Sequence, residues 1–165
     1  MATAWSTRPE TVGDAVAIRE VSRTAFPTEE EADLVDALRA SDAWIDGLSI
    51  VAEDSEGTLV AHALLTRCHV DGVPALVLAP CAVLPRVQRT GAGSAVIRAA
   101  LQAACAIGEN LVLVLGHAHF YPRFGFIPAS AFGVRASFDV PAVAWCASVP
   151  VTALNGQAAP RRVDS

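Results

Sequence analysis

The sequence predicts an α+β protein in which a mostly antiparallel sheet is flanked by helices. Three observations carry that expectation. Residues 48–83 form apolar runs of strand length separated by turn signals, whereas residues 11–39 and 91–107 repeat their apolar positions at helical spacing. Between residues 111 and 115, Leu-Val-Leu-Val-Leu is wholly apolar, as expected of a central strand.

The elements follow in order. Residues 3–8 read as a short edge strand, and Thr11 or Asp14 caps a helix to about Thr24 whose apolar face is Val12, Val16, Ile18 and Val21. After Pro27, Thr28 with Glu31 fits a capping box for a second helix to about Arg39, with Ala32, Leu34, Val35 and Leu38 on one side. Strands are expected at 48–53 and 58–70, separated by the Asp54–Gly57 turn. Asp71-Gly72 then signals a hairpin into a strand from Pro74 to Val83. Pro85 cannot donate to a ladder, so that strand ends or bulges near Val83-Leu84. A helix over 91–107 turns Val96, Ile97, Ala100, Leu101, Ala104 and Cys105 inward and stops at Gly108. The strand 111–115 lies beside 74–83, a short helix ends at Gly125, and late strands fall near 133–138 and 143–149.

A chain of 165 residues with 53% hydrophobic content suits one domain, placed at 1–154, with 155–165 as a flexible C-terminal tail. The formal charge of -5 and the lack of any Lys argue against nucleic acid as a partner, since that binding needs clustered cations. Cys68, Cys81, Cys105 and Cys146 show neither zinc-ligand spacing nor a disulfide framework, so no metal is expected and the thiols read as free and buried. The N-terminus lacks the order of a signal peptide. The longest apolar stretch, 73–84, holds Pro74 and Pro80 and is too short for a bilayer, so no membrane association and a cytoplasmic location are expected.

Chemistry concentrates at Gln88-Arg89-Thr90-Gly91-Ala92-Gly93-Ser94, where a strand feeds a helix. Unpaired amides of a first helical turn, reinforced by the helix dipole, suit an anion such as phosphate. Gly91, Ala92 and Gly93 let the backbone approach it, and Arg89 adds a charge-assisted contact. The segment is not a nucleotide P-loop, because Ser94-Ala95 stands where Lys then Ser or Thr is needed. Nor does it fit G-x-G-x-x-G, because Val96 occupies the third glycine position.

Gln88, Gly91 and Gly93 resemble the pyrophosphate signature of the GNAT superfamily of N-acetyltransferases: Gln or Arg, two variable residues, Gly, one variable residue, then Gly or Ala. The preceding Leu78–Pro85 strand and the later Tyr121-Pro-Arg-Phe-Gly-Phe126 are similar to that superfamily's flanking segments, and residues 31–39 are similar to its YhbS-like bacterial subgroup. The resemblance implies three α/β/α layers, a sheet splayed between its fourth and fifth strands, and acetyl-CoA as cosubstrate without a metal. By the same resemblance, Gln88 to Ser94 hold the pyrophosphate, backbone groups of Ala82 and Val83 pair with the pantetheine arm, and Tyr121 is the general acid that protonates the departing thiolate. The acceptor is then a primary amine of a small molecule, peptide or protein, which attacks directly.

Relatives with a strand-borne base carry a carboxylate where Leu76–Val83 has none. Water, Glu29 to Glu31, His117 or His119 are the alternatives, and an acetyl-enzyme on Cys81 is a further route. His62 and His69 read as structural or exposed, and Trp44 and Trp145 as packing or as walls of an acceptor pocket. A non-catalytic acyl-CoA sensor of the same fold is the competing function. The apolar strand at 143–149 offers an edge through which a homodimer forms.

Overall fold

The computed structural model describes residues 5–116, 120–128, 134–136, 143–148 and 161–164, with side chains over 5–114 and 120–128. Contacts divide it into two compact units, Met1–Thr66 with Ala79–Ala103 and Arg67–Leu78 with Ala104–Ser165.

In the first unit, β1 (Ser6–Pro9) pairs antiparallel with β2 (Ser49–Glu53), and β2 pairs antiparallel with β3 (Leu59–Val70), whose first eight residues belong here. Helix α1 (Ala15–Ala25) and helix α2 (Glu30–Arg39) bury Ile18, Val21 and Val35 against Val51, Leu59 and Leu64, together with Ala82 of β4 (Val73–Val83). The expected face of the first helix is only half right: Val12 is 100% and Val16 82% exposed. Val12 lies in the 3-10 turn over Val12–Asp14 that precedes α1, whereas Val16 lies within α1, two residues and so about 200° around the helix from Ile18, on the face turned away from the core. That turn is fastened by the Thr11 amide donating to Asp14 Oδ2 at 2.6 Å.

The Thr28–Glu31 capping box does not form. The helix opens instead at Glu29, whose carbonyl accepts from the Asp33 amide at 2.9 Å, while Thr28 Oγ1 receives only a 3.4 Å contact from the Glu30 amide. Glu30, Glu31 and Asp33 crowd the first turn, where the dipole favours anions, and Arg19 bridges Glu29, Asp33 and Asp36 across to α1.

A polar chain runs through this apolar core. Arg39 Nε and Nη2 grip the Glu10 carboxylate at 3.1 and 3.0 Å, Ser49 Oγ donates to Glu10 Oε2 at 2.8 Å, and Ser49 Oγ lies 2.7 Å from His62 Nε2. Because the hydroxyl proton goes to the carboxylate, Nε2 carries the hydrogen that Ser49 accepts, and His62 is the neutral Nε2–H tautomer. Its Nδ1 is buried without a partner. Burial, reinforced by the nearby Arg39 charge, pushes His62 down to about 3. The unfolded chain therefore takes up a proton below about pH 6.5 that the folded protein refuses until near pH 3, so stability is lost as pH falls through this window. Acidification from pH 6 to 4 is expected to lower Tm by roughly 3–5 °C per pH unit more in the wild type than in His62→Asn. Parallel Tm-against-pH curves for the two proteins would refute the assignment.

In the second unit, the start of β4 pairs parallel with β5 (Leu111–Gly116) through Leu76↔Val112, Val77↔Leu113 and Leu78↔Val114. Pairing ends there, ahead of Pro80, which brings no N–H to a ladder, while β4 itself runs to Val83. Antiparallel neighbours complete the mixed sheet: β8 (Val143–Ser148) lies between β5 and β6 (Phe126–Pro128). β5 covers one edge of β8 along its length, and β6 covers the other at Trp145, Cys146 and Ala147. The Asp71-Gly72 hairpin forms as expected, with φ of 50° and 78°, the sign both central residues of a type I′ turn require. Cys68, Val70, Ala75, Leu111 and Leu113 make the unit's core, and the Arg67 guanidinium pairs with Glu109 beside it.

Part of the expected tail is ordered as β9 (Arg161–Asp164), antiparallel to β3 through Val70↔Val163 and parallel to β7 (Val134–Ala136). Val163 supplies an apolar residue opposite Val70, a pairing between positions too far apart in sequence for local pattern to reveal. No helix among the described residues is long and apolar enough to cross a membrane.

Candidate active site

Ala82, Val83 and Gln88 to Ser94 lie together in the first unit as strand end, turn and helix start. The strand stops at Val83, Leu84 donates its amide to Val60 O at 2.9 Å, and Pro85–Val87 make one 3-10 turn whose Val87 is buried. Gln88 is extended, Arg89 is left-handed at φ 63°, and Gly91 has φ 96°, a value that favours glycine. Helix α3 (Ala92–Ala106) follows, and the Ala95 amide donates to Gly91 O at 2.9 Å. Gly91 is therefore the residue at which the helix begins, and the amides of Ala92, Gly93 and Ser94 have no acceptor one turn back. Those three amides and the adjoining Gly91 amide form the concentration of donors that an anion needs.

The two glycines have different tasks. Gly91 supplies the backbone conformation. At Gly93 a Cβ would stand 3.1 Å from Val83 Cγ2, so its missing side chain seats the helix start on the end of β4. A packing requirement therefore stands beside the ligand access expected of Gly93. Gln88 is exposed, and its Nε2 donates to Val83 O at 3.2 Å, so one lone pair of the carbonyl expected to meet pantetheine is engaged by the turn. Thr90 Oγ1 donates to Val87 O, and the Trp5 indole Nε1 donates to Thr90 O at 3.3 Å. Arg89 is exposed. Along α3, Val96, Ile97, Ala100 and Ala104 are buried as expected, but Cys105 is exposed because it lies a full residue past the inward stripe.

Tyr121 belongs to the second unit, where it opens the 3-10 helix Tyr121–Phe124. Its half-buried ring meets Phe120 and Phe126 edge-on, with centroids 5.3 and 5.7 Å apart, and Phe126 is 1% exposed in the core. Aromatic packing therefore helps to hold the ring in place.

The alternative proton acceptors separate. His117 and His119 lie outside the described residues. Glu29 is committed to Arg19 and Arg23, Glu30 is exposed, and Glu31 has a buried Oε2 with no hydrogen-bond partner. His62 is held neutral in the core and His69 is exposed, in keeping with their structural reading. Trp44 carries the Arg39 guanidinium on its ring at 5.2 Å and donates to Asp46 Oδ1, so it supports the polar chain; the Trp145 side chain lies outside the described residues. Burial pushes the Cys81 thiol up to about 12, which leaves negligible thiolate at neutral pH and removes support for an acetyl-enzyme. No cluster able to hold a metal ion occurs among the described residues.

Comparison with known proteins agrees with this arrangement. Residues 15–126 match the acetyltransferase (GNAT) family model, a span that runs from α1 to the first residue of β6 and contains both signature segments. An uncharacterized N-acetyltransferase of Escherichia coli, YjhQ, is 40% identical over 133 residues, covering 78% of this chain and 73% of the relative. The crystal structure of YhbS, a GNAT family N-acetyltransferase from Escherichia coli in complex with CoA, superposes with a TM-score of 0.88 at 25% identity, covering 99% of this chain and 92% of that one. A GNAT family acetyltransferase from Brucella melitensis in complex with acetyl-CoA gives 0.73 at 28% identity over 90% of each chain. With a family model spanning most of the chain and a curated relative at 40% identity, this protein belongs to the GNAT family of acetyltransferases.

Proposed function

We propose that this protein transfers the acetyl group of acetyl-CoA to a primary amine of a small molecule, peptide or protein. The observation that carries the reading is the helix start at Gly91, where the amides of Ala92, Gly93 and Ser94 lack internal acceptors beside a turn of small residues. They suit the coenzyme's pyrophosphate, and the relatives solved with CoA and acetyl-CoA support that ligand. In this reading Ala82 and Val83 offer backbone groups at the end of β4, Arg89 adds positive charge to the phosphate site, and Tyr121 donates a proton to the leaving thiolate. The whole reaction is assigned to one domain of a cytoplasmic protein.

A second reading, an acyl-CoA sensor without turnover, draws on the absence of any carboxylate in Leu76–Val83. Thiol release from acetyl-CoA across a broad panel of amines separates the two. Amine-dependent release supports the transferase. Tight CoA binding with no release for any amine overturns it in favour of the sensor.

A further inference from the structure

Trp5, immediately ahead of β1, is 85 residues from the turn to which its indole is bonded. Its Nε1–H donates to the carbonyl of Thr90 at 3.3 Å, and the same nitrogen is the nearest neighbour of the space beside Gly91, 3.9 Å from where a Cβ would stand. A trans peptide unit is planar, with its C=O and N–H pointing in opposite directions. Fixing the Thr90 carbonyl toward the indole therefore fixes the Gly91 amide away from it, on the side opposite Trp5. The adjoining residue makes that restraint consequential. Arg89 sits at φ 63°, a conformation that costs a non-glycine residue roughly 1–2 kcal/mol and persists only where neighbouring contacts over-determine it. Thr90 Oγ1 to Val87 O and Gln88 Nε2 to Val83 O restrain the turn from within, and Trp5 is the restraint supplied from a distant part of the chain.

We infer that Trp5 is a positioning residue for coenzyme binding: its indole N–H orients the Thr90–Gly91 peptide so that the Gly91 amide joins those of Ala92 to Ser94 on the pyrophosphate. The inference rests on the coenzyme reading of this turn. The indole does not touch the coenzyme in this role. It acts through the peptide plane, so only ligands that carry the pyrophosphate should sense its loss.

The test is equilibrium binding of CoA and of pantetheine, which lacks the pyrophosphate, to the full chain. The variants are Trp5→Phe and the replacement of Trp5 by β-(3-benzothienyl)alanine, which keeps the bicyclic shape but has no N–H. The expected result is a rise in the CoA Kd of about fivefold in both, the size of one lost hydrogen bond, with pantetheine binding unchanged within about twofold. The benzothienyl replacement keeps the ring, so it remains informative where Trp5→Phe fails to fold. An unchanged CoA Kd in the benzothienyl protein overturns the inference, as does an equal loss for CoA and pantetheine, which marks a general structural defect. Gly91→Asp is the control for the parent reading: if it binds CoA like the wild type, the coenzyme assignment of the turn falls, and the inference with it.

Discussion

Gly91→Asp is expected to weaken CoA binding about a hundredfold or more while leaving thermal stability close to that of the wild type. The two effects separate because the carboxylate acts in opposite directions on folding and on binding. Gly91 holds φ 96°, and any side chain there incurs roughly 1–2 kcal/mol of backbone strain. Gly91 is also the residue that begins α3, where an Asp side chain can accept from first-turn amides and recovers roughly 1 kcal/mol. Space is not the obstacle, since the nearest atom to a new Cβ is Trp5 Nε1 at 3.9 Å. For the coenzyme both consequences are unfavourable: the carboxylate occupies the amides meant for the pyrophosphate and sets a negative charge against its charges, worth about 4 kcal/mol for a unit pair at 4 Å near a protein surface. Gly91→Ala carries the strain without the charge, so it should lose far less affinity. Isothermal titration with CoA on the three proteins decides the matter. Equal losses for Ala and Asp would assign the effect to backbone strain and remove the anion site.

What the sequence revealed and what it concealed divide along a physical line. Features determined by neighbouring residues were legible: the Asp71-Gly72 hairpin, the apolar β5, the end of β4 ahead of Pro85, and the glycine turn opening α3. Features that depend on partners distant in the chain were not. Gly93 reads as ligand access in the signature, and its packing against Val83 becomes visible only where β4 meets the helix start. His62 is an unremarkable strand residue until Glu10, Arg39 and Ser49 arrive beside it from three other parts of the chain. β9 needs the end of β3, and the Trp5 contact needs the turn 85 residues on. Local errors had local causes. Val12 falls in the 3-10 turn ahead of α1 and Val16 on the side of α1 away from Ile18, and a carboxylate-rich first turn started α2 without the capping box.

Tyr121→Phe is expected to lower kcat for acetyl transfer about a hundredfold, with the CoA Kd unchanged within about twofold. A phenol, with an ordinary pKa of about 10, is a side chain suited to donating to a thiolate that departs as the amine attacks. The substitution removes this donor and keeps the ring. The ring is held by edge-on contacts with Phe120 and Phe126, and the latter is anchored in β6 against β8, so a Phe ring keeps the same packing. Pyrophosphate binding is assigned to amides of a different segment, Gly91 to Ser94, which contains no Tyr121 atom. A loss confined to kcat therefore isolates proton donation, whereas a parallel rise in the CoA Kd would mark the residue as part of coenzyme binding. Raising the acidity of the leaving group gives an independent check: a thioester whose thiol is a better leaving group depends less on protonation, so the variant should lose less of its rate with it. Equal losses for acetyl-CoA and the activated thioester, or unchanged turnover with both, would remove Tyr121 as the general acid and move the search to the segment before it.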